Sequence, residues 1–191
     1  MTNDKLQMTN GGKNNFIRAV NALKSGGVIA FPTETVYGIG AALSRSAAIR
    51  KIFKLKKRPK SKPLQVLISS LKQAKELGLF NDRALSLAKK SWPGPLTLVV
   101  YKTKKIPDLV TGGSNKVGLR IPAHQTILRL IRKCGPIVAT SANSAGEKPA
   151  LTAEEVKENL PKLDHILPGR VKLGKASKVI DATDNFRVLR S

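Results

Sequence analysis

The chain has 191 residues, 41% of them hydrophobic, and carries 35 Lys and Arg against 12 Asp and Glu, a net charge of +23. That length supports one domain with a core of its own, without disulfides or structural metal. One cysteine and two distant histidines exclude a disulfide framework and argue against a transition-metal site.

Residues 1–12, rich in Asn, Thr and Gly, read as a flexible start, and 13–191 as the folded domain. Phe16, Val20 and Leu23 recur at helical spacing, and Gly26-Gly27 end that helix. Val28 to Phe31 reads as a buried strand. Ile49, Ile52 and Phe53 mark a second helix, begun near Ser46 and stopped by Pro59. Leu64 to Ile68 is a strand and Leu71 to Leu77 a short helix closed by Gly78. Asn81 or Asp82 caps the next helix, which Pro93-Gly94-Pro95 breaks. Leu96 to Tyr101 and Lys116 to Ile121 are strands. Ile127, Leu130, Ile131 and Cys134 line a helix that Gly135-Pro136 end, and Ile137 to Ala139 is a strand. Thr152 and Glu155 form a capping box for a last helix. Ile166-Leu167, Val179-Ile180 and Val188-Leu189 are weaker strand signals. The alternation predicts an α/β fold, a twisted mixed sheet with flanking helices.

Glu34 is the sole acid between Asp4 and Glu76, and none lies between Asp108 and Glu147. Positive potential is therefore expected over the first three-quarters of the chain, where nucleic acid or highly phosphorylated ligands are the natural partners. No apolar run is long enough to span a bilayer, and Met1 to Lys5 lack an apolar signal region. A cytoplasmic location without membrane contact is expected.

The densest chemistry lies in Phe31-Pro-Thr-Glu-Thr-Val-Tyr-Gly-Ile-Gly40, where three hydroxyls and a carboxylate need partners from the fold or a ligand. Arg50 to Lys62 holds eight cations in thirteen residues. Lys56 and Arg58 at its helix end suit phosphate oxygens, and a solvated or nucleic-acid-binding stripe is the other reading. Thr140-Ser-Ala-Asn143 offers donors for phosphate or ribose, or merely caps a turn. Arg120 faces either a substrate carboxylate or an internal acid. Glu34 either contacts a metal ion or ties its own turn. His124 and His165 are expected at the surface and Trp92 in the core. Clusters at strand carboxyl ends suggest one shared pocket, with three unrelated turns as the other reading. Leu43 stands where a dinucleotide fingerprint needs its third glycine, and there is no phosphate-loop or nucleophile-elbow motif. Positioning and positive charge remain, which suffice for phosphoryl or nucleotidyl transfer.

Five segments in order resemble the YrdC/TsaC family of threonylcarbamoyl-AMP synthases. They are Phe31 to Gly40, Lys56-Lys-Arg58-Pro with Lys62-Pro-Leu64, Ser91-Trp-Pro-Gly-Pro-Leu-Thr97, Gly118-Leu-Arg-Ile-Pro122, and Thr140-Ser-Ala-Asn143. The length is similar to the short, single-domain form. The resemblance implies a nucleotidyltransferase that converts ATP, L-threonine and bicarbonate to threonylcarbamoyl-adenylate and pyrophosphate, with Mg²⁺ accompanying ATP and no protein metal site. It further implies supply to downstream tRNA threonylcarbamoyl-transfer proteins, which modify the adenosine next to the anticodon. By the same likeness Lys56 and Arg58 are catalytic and bind ATP phosphates with Lys62, Ser141, Asn143 and Ser177. Thr33, Thr35, Arg120 and Thr140 border threonine and bicarbonate. Ala145 and Ser177-Lys178 depart from the family's Ser/Thr and Ser-Thr patterns. Two other readings stay open. One is an RNA-binding or ribosome-maturation factor that takes tRNA or double-stranded RNA on the basic concave surface. The other is the carbamoyl-transfer relative within hydrogenase-maturation proteins, whose acylphosphatase and zinc-finger modules have no counterpart here.

Overall fold

The structure, a computed structural model, describes residues 10–144, 146–184 and 186–191. Most of the segment expected to be loose, and Ala145, therefore lie outside the described residues. Asn10 to Gly12 already belong to helix α1 (Asn10–Lys24), which buries Phe16, Ala19 and Leu23.

Strand β1 (Ile29–Pro32) is followed at once by β2 (Tyr37–Ala42), paired antiparallel with Ile29 opposite Gly40 and Pro32 opposite Tyr37. Thr33 to Val36 are thus a hairpin tip and not a free strand end. Strand β2 is absent from the sequence reading because YGIGAA has two glycines and no alternation, and all six residues are buried. At Gly40 a Cβ would sit 2.6 Å from the Val138 carbonyl oxygen, so the close approach of the two strands requires glycine.

Helix α2 (Ser46–Leu55) buries Ala48, Ile49, Ile52 and Phe53. Its end is a Schellman turn. The Arg58 N–H donates to Phe53 O at 2.9 Å and the Lys57 N–H to Lys54 O at 3.2 Å. Lys57 occupies the left-handed position with φ +49, where glycine is usual. This turn sends Lys56 and Arg58 off the helix toward the sheet.

Strand β3 (Gln65–Leu67), helix α3 (Leu71–Leu77) and the two-residue β4 (Gly78–Leu79) come next. Asn81 caps α4 (Asp82–Ser91), and β5 spans Leu96–Lys102. After the short α5 (Asp108–Thr111) come β6 (Lys116–Arg120), α6 (Gln125–Cys134) and β7 (Ile137–Ser141). Thr152 Oγ1 accepts the Glu155 N–H at the start of α7 (Ala153–Asn159), and the Glu155 carboxylate accepts from Leu151 N–H. Strands β8 (His165–Ile166), β9 (Lys178–Asp181) and β10 (Arg187–Arg190) complete the sheet.

The strand order is β10-β9-β5-β6-β3-β7-β2-β1-β8, with β4 beside β5. Pairs β3/β6, β5/β9 and β1/β8 are parallel and the others antiparallel, so the sheet is mixed as expected. Alternation divides the side chains between two faces. Val66, Leu98, Leu119 and Val138 meet Ile49, Ile52, Ala84, Ala88 and Val156 in the larger core. Ile29, Phe31, Leu67 and Ile137 meet Phe16, Leu23, Ile127 and Ile131 of α1 and α6 in the smaller one. No residue of β5, β6 or β9 belongs to that smaller core, so among the described residues no helix packs over this half of the face through it.

Left-handed backbone costs a non-glycine residue about 1–2 kcal/mol, partly returned as chain entropy when glycine replaces it. Lys57→Gly should therefore raise the melting temperature by roughly 2–4 °C and Lys57→Val lower it. A lower melt for Lys57→Gly would show that the lysine side chain outweighs the strain.

Candidate active site

The helix-free half of the sheet holds a cavity of about 290 Å³. Its floor runs straight across four strands. Val99 faces Gly118, Gly118 faces Gln65, and Gln65 faces Ala139. These small or flat residues leave the depth, and a Cβ on Gly118 would lie 3.1 Å from Thr97 Cγ2. Of the residues predicted from sequence, Thr33, Thr35, Arg58, Arg120, Thr140, Ser141 and Ser177 line this one cavity. Lys56 and Asn143 are buried outside its lining, and Lys62 is exposed and also outside it. Distant strand ends therefore do converge, but the open face of the sheet supplies the floor.

Arg120 lines the cavity and is also paired inside the protein. It is only 2% exposed, and its Nη2 donates to Glu34 Oε1 at 2.7 Å, so its acid partner is internal. Its Nε donates to Gly94 O at 3.1 Å. Glu34 is 4% exposed, and besides its pair with Arg120 its carbonyl accepts from the Lys172 and Leu173 N–H groups, which ties the hairpin tip to a distant segment. Its Oε2 has no partner. Burial works against the charge of Arg120, and the Glu34 carboxylate works for it.

The hydroxyls are ordered by the arginines. Arg120 Nη2 donates to Thr35 Oγ1 at 3.1 Å. Thr33 gives its proton to Val36 O at 2.7 Å, so the 2.7 Å contact between the two threonines is donated by Thr35. Opposite, Arg190 donates from Nη2 to Ser177 Oγ at 3.1 Å and from Nε to Ser177 O at 2.9 Å. Thr97 gives its proton to Gln65 Oε1 at 3.0 Å, so Ser177 donates to Thr97 at 2.9 Å. Thr35 and Ser177 thus have lone pairs but no spare proton, and they suit an ammonium or hydroxyl group of a ligand. For Ser177, expected at phosphate, that is a different chemistry.

Arg58 donates from Nε to Lys62 O at 3.3 Å and from Nη2 to Pro63 O at 2.9 Å. A guanidinium has five N–H donors, so three stay uncommitted. Arg58, Arg120 and Arg190 line the cavity and no carboxylate does. Burial lowers the pKa of all three, and the charge of Arg120 lowers that of Arg190 further. Like charges crowded in a desolvated site favour an anionic ligand.

Lys56 makes a separate knot. Its Nζ donates to Ser141 O at 2.5 Å, Asn143 O at 2.6 Å and Asn143 Oδ1 at 3.0 Å. Burial first, and then the charge of Arg58, brings its pKa down to about 8. Ser141 Oγ donates to Asn143 Oδ1 at 2.6 Å, and Asn143 Nδ2 donates to Ser144 O and Glu147 O.

Sequence reasoning passed over Gln65 and Arg190. Their only signal was position, on the cavity side of a strand whose face was unknown. Neither histidine lines the cavity, but both are half-buried, with one ring nitrogen lacking a partner among the described residues, and burial lowers their pKa. Trp92 is a packing residue, edge-on to Phe80 with its indole N–H on Leu96 O. Among the described residues no group of three or more His, Cys, Asp or Glu is placed to hold a metal ion, and no helix is long and apolar enough to cross a membrane.

Removing one partner of a buried ion pair typically costs about 3–5 kcal/mol. Arg120→Met should lower the melting temperature by roughly 6–20 °C on that basis. Glu34→Gln combined with Arg120→Met should recover much of the loss. Additive losses in a double-mutant cycle would show that the pair is not coupled.

Residues 21–191 match the Sua5/YciO/YrdC family model, which carries the description "telomere recombination". Threonylcarbamoyl-AMP synthase of Pyrococcus abyssi is 41% identical over 170 residues, covering 87% of this chain and 50% of that protein. The protein of the same name in Hahella chejuensis is 37% identical over 172 residues, covering 86% of this chain and 92% of its own. The crystal structure of P. abyssi Sua5 complexed with L-threonine matches with a TM-score of 0.85 at 40% identity, over 89% of this chain and 51% of that one. The chain spans about half the length of the Pyrococcus relative and nearly all of the Hahella one. By sequence and by fold, the chain belongs to the Sua5/YciO/YrdC family.

Proposed function

We propose that this chain is a nucleotidyltransferase that forms threonylcarbamoyl-adenylate from L-threonine, bicarbonate and ATP, for the modification of tRNA next to the anticodon by downstream transfer proteins. The observation that carries the reading is the cavity itself, with three arginines, no carboxylate on its lining, and Thr35 and Ser177 hydroxyls whose protons are already given to neighbouring side chains. The names of the relatives and the threonine-bound Sua5 structure support it.

Threonine brings a carboxylate, an ammonium and a hydroxyl. Arg120 would take the carboxylate, and Thr33, Thr35 and Thr140 border the rest together with bicarbonate. The threonine amine attacks the bicarbonate carbon and water leaves, which gives a carbamate. A carbamate oxygen then attacks the α-phosphorus as the bond to pyrophosphate breaks. Both nucleophiles belong to substrates, so no nucleophilic side chain is needed. Arg58 and Arg190 meet the growing negative charge, with Lys62 at the exposed side. Ser141 lines the wall near the phosphates with Asn143 tied behind it, and Ser177 can accept from a hydroxyl of the ligand. Mg²⁺ would enter with ATP, as the counter-ion of its phosphates.

One observation favours RNA as an additional ligand. Helices α1 and α6 are side by side and contain Lys13, Arg18, Lys24, Arg129, Arg132 and Lys133 without a single acid. Such binding should weaken steeply with salt.

Purified protein should release pyrophosphate from ATP only when threonine and bicarbonate are both present. Full turnover without threonine, or none with it, would refute the assignment. Arg58→Ala should lower the rate about a hundredfold or more with little change in the thermal melt.

A further inference from the structure

We infer that Lys56 is a positioning residue, a three-way tie that sets the Ser141–Asn143 turn against the cavity, and that it does not itself grip phosphate. The functional half of this inference rests on the adenylate-forming reading, and the structural half stands without it.

An ammonium has three N–H donors, and all three of Lys56 end on oxygens of this one turn. The residue is 2% exposed and pairs with no carboxylate among the described residues. Nothing remains to offer a phosphate oxygen. Asn143 is equally committed, because its Oδ1 accepts from both Lys56 and Ser141 and its Nδ2 donates to Ser144 O and Glu147 O. Of the four residues Lys56, Arg58, Ser141 and Asn143, only Arg58 retains free donors on the cavity.

The tie also orients the backbone. In a trans peptide the N–H points opposite to the C=O. With Ser141 O drawn toward Lys56, the Ala142 N–H turns the other way and bonds Tyr37 O at 2.8 Å. The turn is thereby held between α2 and β2, and it fixes Thr140 and Ser141 on the cavity lining. Without Lys56, Ser141 O would keep only the Asn143 N–H and Asn143 Oδ1 only the Ser141 hydroxyl, while Asn143 O would lose its side-chain donor, which weakens the turn.

The tie is complete only while Lys56 is charged. A neutral amine has two N–H donors and one lone pair, so one of the three oxygens would meet the lone pair. The ammonium titrates near 8 because of burial and the charge of Arg58. Arg58 is the one charged group that acts on it, and Glu147 reaches this knot through its main-chain oxygen on Asn143. The turn should therefore loosen as pH rises through about 8.

Amide hydrogen exchange on the full chain, followed on the peptide covering 137–150 and corrected for intrinsic rates, tests this. Lys56→Met at pH 7 should exchange on the order of tenfold faster in this turn, as a local opening would allow. Wild type should show the same acceleration between pH 7 and pH 9, and Lys56→Met no further one. Calorimetry at pH 7 should show weaker pyrophosphate binding by the variant. A variant that binds pyrophosphate less but keeps wild-type protection in the turn would make Lys56 a direct phosphate ligand and overturn the inference. Protection in wild type that does not change with pH would overturn it too, and that series decides alone if Lys56→Met does not fold. If wild type shows the exchange behaviour but no threonine-dependent pyrophosphate release, the tie stands and the adenylate-forming reading falls.

Discussion

The buried pair between Arg120 and Glu34 holds the site together. Arg120 comes from the end of β6, Glu34 from the tip of the β1–β2 hairpin, and Gly94 O from the turn before β5. One guanidinium therefore joins three separate segments at the cavity's edge. Desolvating both charges is expensive, and their 2.7 Å contact offsets that cost only because the geometry is held from both sides. The second carboxylate oxygen, Glu34 Oε2, has no hydrogen-bond partner among the described residues.

The same guanidinium decides what the hydroxyls can do. Thr35 accepts from Arg120 and passes its proton on, and across the cavity Ser177 does the same below Arg190. Two parallel chains of cation, hydroxyl, hydroxyl and carbonyl oxygen result. Recognition is then divided by chemistry. Oxygen lone pairs face cationic or hydroxyl groups of a ligand, and arginine N–H groups face its anionic ones. A molecule that carries both an ammonium and phosphates, or two substrates that do so together, matches that division.

Placement of the two motif residues that were expected to act alike shows how local geometry separates them. Lys56 and Arg58 are two residues apart at a helix end, yet the left-handed Lys57 between them turns one side chain inward and leaves the other at the cavity. The lysine is spent on protein oxygens, and the arginine keeps free donors at the cavity. A flexible point charge with three donors suits a ring of three oxygens, whereas a planar fork with five can bond the backbone and still present an edge.

Much of this architecture was legible in the chain itself. The 3.6-residue spacing of Ile49, Ile52 and Phe53, the caps at Asn81 and Thr152, and the apolar runs at β3, β5 and β7 each reflect a local rule that needs no partner. The excess of cations beside hydroxyl-rich turns was legible too, and it is the reason to expect an anionic ligand. What only the tertiary structure decided is who satisfies whom. Strand β2 exists because its neighbours supply hydrogen bonds that its glycines do not advertise. Gln65, Gly118 and Arg190 reach the cavity because strand pairing and face, set by contacts far away in sequence, put them there. Hydrogen bonds to Lys56 and Arg120 span more than eighty residues of chain, and no spacing rule covers that distance.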